Sequence, residues 1–170
     1  MHLVSGRVLR CDFHDAKCRF FRAFNAILSK VGRFASEQVV IRLLRTKCLP
    51  ILFYACEASC PLLSRQIHSF DFSLTRTFMK LFRTGSPAIV QECQLQFGFL
   101  PVKSQLHIKT ARFLQKFAAS ENVLCSLFVS TAKRQLTDIF IFHFYNSSIS
   151  TACQLHNFIY DQLITVDVLP

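Results

Sequence analysis

The amino-acid sequence predicts a mainly α-helical fold, a helical bundle with a short β segment at its N-terminus. Only four Gly and five Pro interrupt 170 residues, too few for the many turns of an all-β sandwich or barrel. Apolar residues instead recur every three or four positions over most of the chain, as on the buried face of a helix. A hydrophobic content of 51% and a mean hydropathy of +0.32 exclude intrinsic disorder.

Residues 3–13 are typical of strands, either two short pieces around Ser5 and Gly6 or one edge strand. The first helix begins near Asp15, whose carboxylate favours a helix N-terminus, and ends at Gly32. Its apolar face consists of Phe20, Phe21, Phe24, Ile27, Leu28 and Val31.

Ser36 is the predicted N-cap of a second helix, with Arg42, Arg45 and Lys47 on its outer side. The following run, 48–56, is apolar all round, and its Pro50 suits the first turn of a buried helix.

Further helices are predicted at 64–82, 87–97, 101–119 and 121–144, with a weaker one at 151–163. The aromatic run 139–145 leaves a strand open as an alternative.

The charge distribution divides the chain into a strand segment at 1–14, a basic helical region at 15–120 and a C-terminal helical extension at 121–170. Residues 1–120 contain 18 Lys and Arg against 6 Asp and Glu, a net charge of +12, whereas 121–170 has a net charge of −2. A basic body of this kind indicates a polyanionic partner, either nucleic acid or an anionic membrane surface. We expect the contact to lie in the first two thirds of the chain.

Motifs for catalysis or cofactor binding are missing from the sequence. It has no phosphate-binding glycine loop, no nucleophile elbow and no His-Glu-x-x-His zinc motif. Asp12 and Asp15 form its one close acidic pair, and capping a helix explains Asp15 sufficiently. We therefore predict no catalytic residues, no metal and no cofactor, and expect His107 to be solvated or to face a phosphate.

The eight cysteines are expected to be reduced, buried thiols of an intracellular protein that is not secreted. The N-terminus has no apolar run suited to a signal peptide, and no segment resembles a membrane span. The spacing of Cys11, His14 and Cys18 leaves a zinc site as the alternative.

Several sequence blocks resemble the region that follows the reverse transcriptase core of non-LTR retrotransposons, in the jockey and chicken-repeat groups of LINE elements. The most specific part reads FRAFNAILSKVG at 21–32, ASEQVV at 35–40 and LRTKCLPIL at 44–52. The resemblance continues through FMKLFRTG at 78–85, CQLQFG at 93–98, RFLQKF at 112–117, AKRQL at 132–136 and TACQL at 151–155.

The resemblance implies that the N-terminal β segment is the end of the palm sheet and that the helices are a thumb and its downstream region. The thumb would grip the template–primer duplex, either an RNA–DNA hybrid or RNA, and the palm and fingers of the parent polymerase would be missing partners. The Ala-Asp-Asp polymerase motif does not occur here. We therefore expect a polymerase fragment without polymerase activity.

The ancestral role implied is sequence-independent binding of a duplex through phosphates, which Lys and Arg neutralise. The candidate contacts are Arg19, Arg22, Lys30, Lys80, Arg83, Lys109, Arg112 and Lys116. The last three lie at i, i+3 and i+7 and are predicted to form one solvent-facing stripe.

Two alternatives remain at this point: a non-functional open-reading-frame relic, or a domesticated protein–protein interaction module that uses exposed Phe surface. The 19 Phe residues fall at core spacing, so we expect them to form the core rather than to stack on bases.

Overall fold

The computed structural model describes residues 2–4, 10–32, 34–58 and 62–143. It confirms a mainly α-helical protein with a short N-terminal β segment. The chain divides into two compact units, one over Met1–Phe97 and one over Gly98–Pro170, so the boundary falls inside the predicted basic region. No helix in the described ranges combines the length and apolar character needed to cross a bilayer.

The first unit begins with an antiparallel hairpin of β1 (His2–Val4) and β2 (Arg10–Asp12), in which Leu3 lies opposite Cys11. This arrangement confirms two strand pieces. Helix α1 (His14–Val31) follows and ends before Gly32, as predicted. Its Phe20 and Phe24 are almost completely buried, which confirms the predicted apolar face.

Helix α2 (Glu37–Leu43), a π-helical turn (Leu44–Cys48) and α3 (Leu49–Leu52) follow one another without a break. Pro50 has no backbone N–H, so it cannot donate the α-helical hydrogen bond to the carbonyl of residue 46. The wider π-helical turn lies immediately before α3, which contains Pro50.

The predicted buried helix over 48–56 is wrong beyond Leu52. Residues 53–58 form turns, Ala55 has a φ of 58°, and the Tyr54 side chain is 72% exposed. The reason is that apolar character alone does not continue a helix through a residue with left-handed backbone.

Helix α4 (Ser64–Phe82) and the shorter α5 (Pro87–Gln96) complete the first unit, close to their predicted bounds. Arg45, predicted to face outward, donates a 2.6 Å hydrogen bond to the Phe97 carbonyl, just past the end of α5. A cation at this position satisfies a terminal carbonyl and suits the helix dipole.

Helices α1 and α4 lie side by side and run in the same direction. The Gln66 side chain donates to the Cys11 carbonyl, Lys17 Nζ to Ser69 Oγ, and Lys80 Nζ to Asn25 Oδ1, each at 2.8 Å. In these three pairs the residue numbers on both sides rise in the same order. The C-terminal ends of α1 and α4 therefore lie at the same end of the helix pair.

A seam of small polar residues on α4 lies against α1, formed by Ser69, Ser73 and Thr77. Ser73 and Thr77 are buried, and each hydroxyl donates a 2.9 Å bond to the carbonyl four residues earlier. Their hydrogen-bonding capacity is therefore met within α4 itself, and their small size lets α1 approach closely.

The second unit contains α6 (Val102–Ala118) and α7 (Val123–His143), which pack on each other. Residues 139–143 are helical, which excludes the alternative strand over that part of the run. The predicted helix at 151–163 lies outside the described residues. The buried side chains of the two helices are Val102, Leu106, Ile108, Ala111, Leu114 and Ala132.

Candidate nucleic-acid interface

Three cations form a stripe along the outer face of α4 and its C-cap. Arg76, Lys80 and Arg83 are spaced at i, i+4 and i+7, and all three are exposed. Positions three and four residues apart lie about 5–6 Å from each other on one helix face. The side chains can therefore contact successive charges of one polyanion.

Helix α1 lines the other side of the stripe. Lys80 bonds to Asn25, and Arg22 lies one turn earlier than Asn25 on the same helix, exposed to solvent. We call the four cations Arg22, Arg76, Lys80 and Arg83 the α1–α4 basic surface.

An open cleft of about 650 Å³ lies between the two helices at this surface. Thr84 adds a hydroxyl group to its wall, and the described residues that line it include no carboxylate. A groove with cations, an amide and a hydroxyl suits phosphate oxygens, because all of these groups can donate hydrogen bonds. The lining consists of Phe21, Phe24, Asn25, Arg76, Thr77, Met79, Lys80, Thr84 and Gly85.

Arg83 ends α4 in a left-handed conformation, with a φ of 52°. The chain then turns, and the Thr84 amide donates to the Met79 carbonyl at 3.1 Å. The turn leads from Arg83 directly to Thr84 and Gly85, which line the cleft.

The remaining predicted contacts on α1 differ in environment. Arg19 forms a 2.6 Å ion pair with Asp15, so part of its charge is already offset. Lys30 is exposed in the last turn of α1, where a cation also suits the helix dipole. Arg22 is therefore the α1 cation that joins the α4 stripe.

The predicted stripe on α6 is exposed at Arg112 and Lys116, whereas Lys109 is half-buried. It belongs to the second unit, and the α1–α4 basic surface belongs to the first. The eight predicted contacts are therefore divided between the two units.

Arg76 was not among the contacts predicted from the sequence. Its spacing from Lys80 and Arg83 was the available signal. Phe72 was also missed: it precedes Arg76 by one turn, its side chain is 64% exposed, and the Arg76 guanidinium carbon lies 5.9 Å from its ring centroid. Phe34, Phe128 and Phe142 are exposed as well, so the expectation that Phe residues form the core is wrong for these four.

His107 is half-buried and hydrogen-bonded, whereas a solvated or phosphate-facing side chain was expected. Its Nδ1 lies 2.8 Å from His143 Nε2 in a hydrogen bond between α6 and α7, and Phe142 packs edge-on against it. Burial lowers the pKa of His107 to about 4, with further contributions from His143 and Lys103. Burial also lowers the pKa of His143. The expected phosphate contact through His107 therefore lacks a charged imidazole at neutral pH.

The suggested zinc ligands do not assemble into a set of three. His14 Nε2 and Cys18 Sγ are 3.6 Å apart, but no group of three or more His, Cys, Asp or Glu within the described ranges is suited to hold a metal ion. The described cysteines are free thiols, of which Cys11, Cys48 and Cys56 are buried. Burial raises the pKa of the Cys48 thiol, which disfavours the thiolate that a metal requires.

Helix α7 carries a different kind of surface. Four large apolar side chains near its N-terminus are 59% to 74% exposed, namely Val123, Leu124, Leu127 and Phe128.

Comparison of the chain with protein-family models, with curated proteins and with solved structures found no match. The geometry of the basic surface therefore carries the functional interpretation.

Proposed function

We propose that the protein binds nucleic acid through the phosphate backbone, without sequence specificity, at the α1–α4 basic surface. The observation that carries this proposal is the exposed stripe of Arg76, Lys80 and Arg83, one helical turn apart, beside a cleft whose described lining has no carboxylate. Each cation that meets a phosphate releases condensed counterions, which supplies affinity without reading a base.

The resemblance to the thumb region of LINE reverse transcriptases supports the same activity. On that basis the chain is a fragment of a retrotransposon polymerase whose ancestral ligand was the template–primer duplex. Because the chain lacks the Ala-Asp-Asp motif, the proposal concerns binding and assigns the chain no polymerase activity.

The test is a salt titration of binding to a labelled RNA–DNA hybrid, followed by fluorescence anisotropy. Changing Arg76, Lys80 and Arg83 to Gln removes three cations from the surface. The matched control changes Lys109, Arg112 and Lys116 of α6 to Gln and alters the net charge by the same amount.

We expect the α4 variant to bind more weakly and to have a shallower plot of log K against log salt. The magnitude of the slope should fall by about 2–3, because each lost duplex contact removes about 0.9. The control is expected to keep most of the parent slope. Equal slopes for the parent and the α4 variant would refute the assignment, and a loss confined to the α6 variant would move the site to the second unit. Exposed charges such as Arg76, Lys80 and Arg83 usually change stability by less than about 0.5 kcal/mol. Circular dichroism verifies that both variants are folded, including the control, in which Lys109 is half-buried.

A further inference from the structure

An exposed phenylalanine continues the basic stripe of α4. Phe72, Arg76 and Lys80 are spaced at i, i+4 and i+8, so they share one helix face. Other Phe residues of α4 behave as core residues: Phe70 and Phe78 are at most 1% exposed, whereas Phe72 is 64% exposed. The stripe therefore combines one accessible aromatic ring with three cations.

The ring of Phe72 lies beside the Arg76 guanidinium, with 5.9 Å between the guanidinium carbon and the ring centroid. From Phe72 to Arg83 the helix rises about 16 Å, at 1.5 Å per residue. An aromatic platform next to a row of cations is the combination that holds single-stranded nucleic acid, because bases stack on the ring while phosphates contact the cations.

A paired duplex cannot use this ring in the same way. Its bases are stacked on each other, and only their edges are accessible in the grooves. An unpaired base presents its whole π face, and stacking on an aromatic side chain contributes about 1–3 kcal/mol per base.

We propose that α4 binds an unpaired stretch of nucleic acid, with a base stacked on Phe72 and the adjoining phosphates held by Arg76, Lys80 and Arg83. This inference rests on the proposed backbone binding and names its preferred ligand, a single strand or a single-stranded overhang.

An anionic membrane is a poorer fit to the same residues. Helices that lie on membranes bury a broad apolar face. On the outward side of α4, however, Phe72 is flanked by Asp71 and Arg76, and His68 lies one turn before it; all three are exposed. A single ring among polar neighbours suits a base better than a lipid layer.

The experiment compares binding of a short labelled oligouridine strand with binding of the same strand annealed to its complement. Phe72→Ala removes the ring, and Phe72→Leu keeps an apolar side chain without a π face. Phe128→Ala is the matched control, because Phe128 is 59% exposed and has no basic residue within one helical turn.

We expect both Phe72 variants to lower the affinity for the single strand by about 5-fold to 150-fold, from the stacking energy of one base. Duplex affinity is expected to change less than 2-fold, and Phe128→Ala to match the parent. A 2-aminopurine base in the strand should change its fluorescence on binding the parent and much less on binding Phe72→Leu.

The two proposals fail differently. In the first case the strand and the duplex both bind, and the α4 triple variant weakens both. If Phe72→Ala then changes neither affinity, or weakens both equally, the stacking inference is overturned and backbone binding stands. If neither nucleic acid binds, both proposals are overturned. Binding to phosphatidylserine vesicles that depends on Phe72, without binding to oligonucleotides, would also overturn both.

Discussion

Lys80 of α4 donates a 2.8 Å hydrogen bond to the side-chain oxygen of Asn25 on α1. Both side chains are exposed, and both line the cleft beside the basic stripe. The contact ties the central cation of the stripe to a neutral partner, so the positive charge of Lys80 remains available to an anion. The identity of residue 25 therefore tunes the charge of the proposed interface.

Asn25→Asp is expected to weaken nucleic-acid binding. The new carboxylate would pair with Lys80 and repel phosphates, so the salt-dependence slope should fall by about 1, the value of one lost contact. Asn25→Ala removes the hydrogen bond without adding charge and should bind within about 2-fold of the parent. Anisotropy titrations measure both variants, and Asn25→Asp binding as tightly as the parent would place the ligand elsewhere.

Ser73→Leu is expected to destabilise the first unit by about 1–3 kcal/mol. Ser73 is 3% exposed in the seam of α4 that lies against α1, and a larger side chain there would overpack the contact. Ser73→Ala removes one local hydroxyl bond and should cost at most about 1 kcal/mol. Urea unfolding followed by circular dichroism measures both, and equal stabilities for the two variants would contradict close packing at this seam.

Stability is expected to fall as the pH drops below about 6.5. The pKa of His107 is about 4 in the folded protein, below the ordinary value of 6.5, so the unfolded chain takes up a proton first. The neutral ring makes its full contribution to the free energy of unfolding above pH 6.5, and this contribution is lost as the pH falls from 6.5 to 4. Since solvent reaches part of the ring, we expect a loss of roughly 1–2 kcal/mol.

Urea unfolding at pH 7, 6 and 5 provides the measurement. His107→Gln should flatten this pH dependence, whereas His68→Gln, which replaces an exposed histidine of α4, should keep it. In the His107–His143 bond one ring donates its N–H and the other accepts with a nitrogen lone pair. The bond is therefore lost when both rings are protonated. A pH profile that His107→Gln leaves unchanged would assign the effect to other groups.

Chelation is expected to leave the fold intact. Within the described residues no three ligands converge, and the cysteines there are free thiols. Circular dichroism before and after EDTA, together with metal analysis of the purified protein, tests this prediction. Loss of one equivalent of zinc together with helical signal would instead support a site at Cys11, His14 and Cys18.

Much of the helical structure could be predicted because each helix carries its own signal. The apolar spacing of α1 and the Gly32 that follows it lie within one stretch of sequence, as do the bounds of α4. The π-helical turn was missed because its two flanking helices each follow the normal period, and only the backbone shows the extra residue between them.

The candidate site was only partly predictable, because it depends on pairing between distant segments. Periodicity places Lys80 on an outer face but cannot show that Asn25 is its partner, 55 positions earlier. The same limit applies to His107, whose partner His143 lies on the next helix, 36 positions later. The Phe residues were expected as a group to form the core on their spacing, although Phe72 is exposed on its helix.

The parallel course of α1 and α4 has a consequence for how the interface is acquired during folding. A direct hairpin cannot join parallel helices, so residues 32–63 must return the chain before Asn25 and Lys80 meet. The cleft therefore forms only after the chain between the two helices has brought them together, and this closure is slow compared with the formation of a single helix. The apparent affinity for nucleic acid scales with the fraction of molecules in which the two helices have met. Oligonucleotide binding is thus a direct assay of native structure in the first unit.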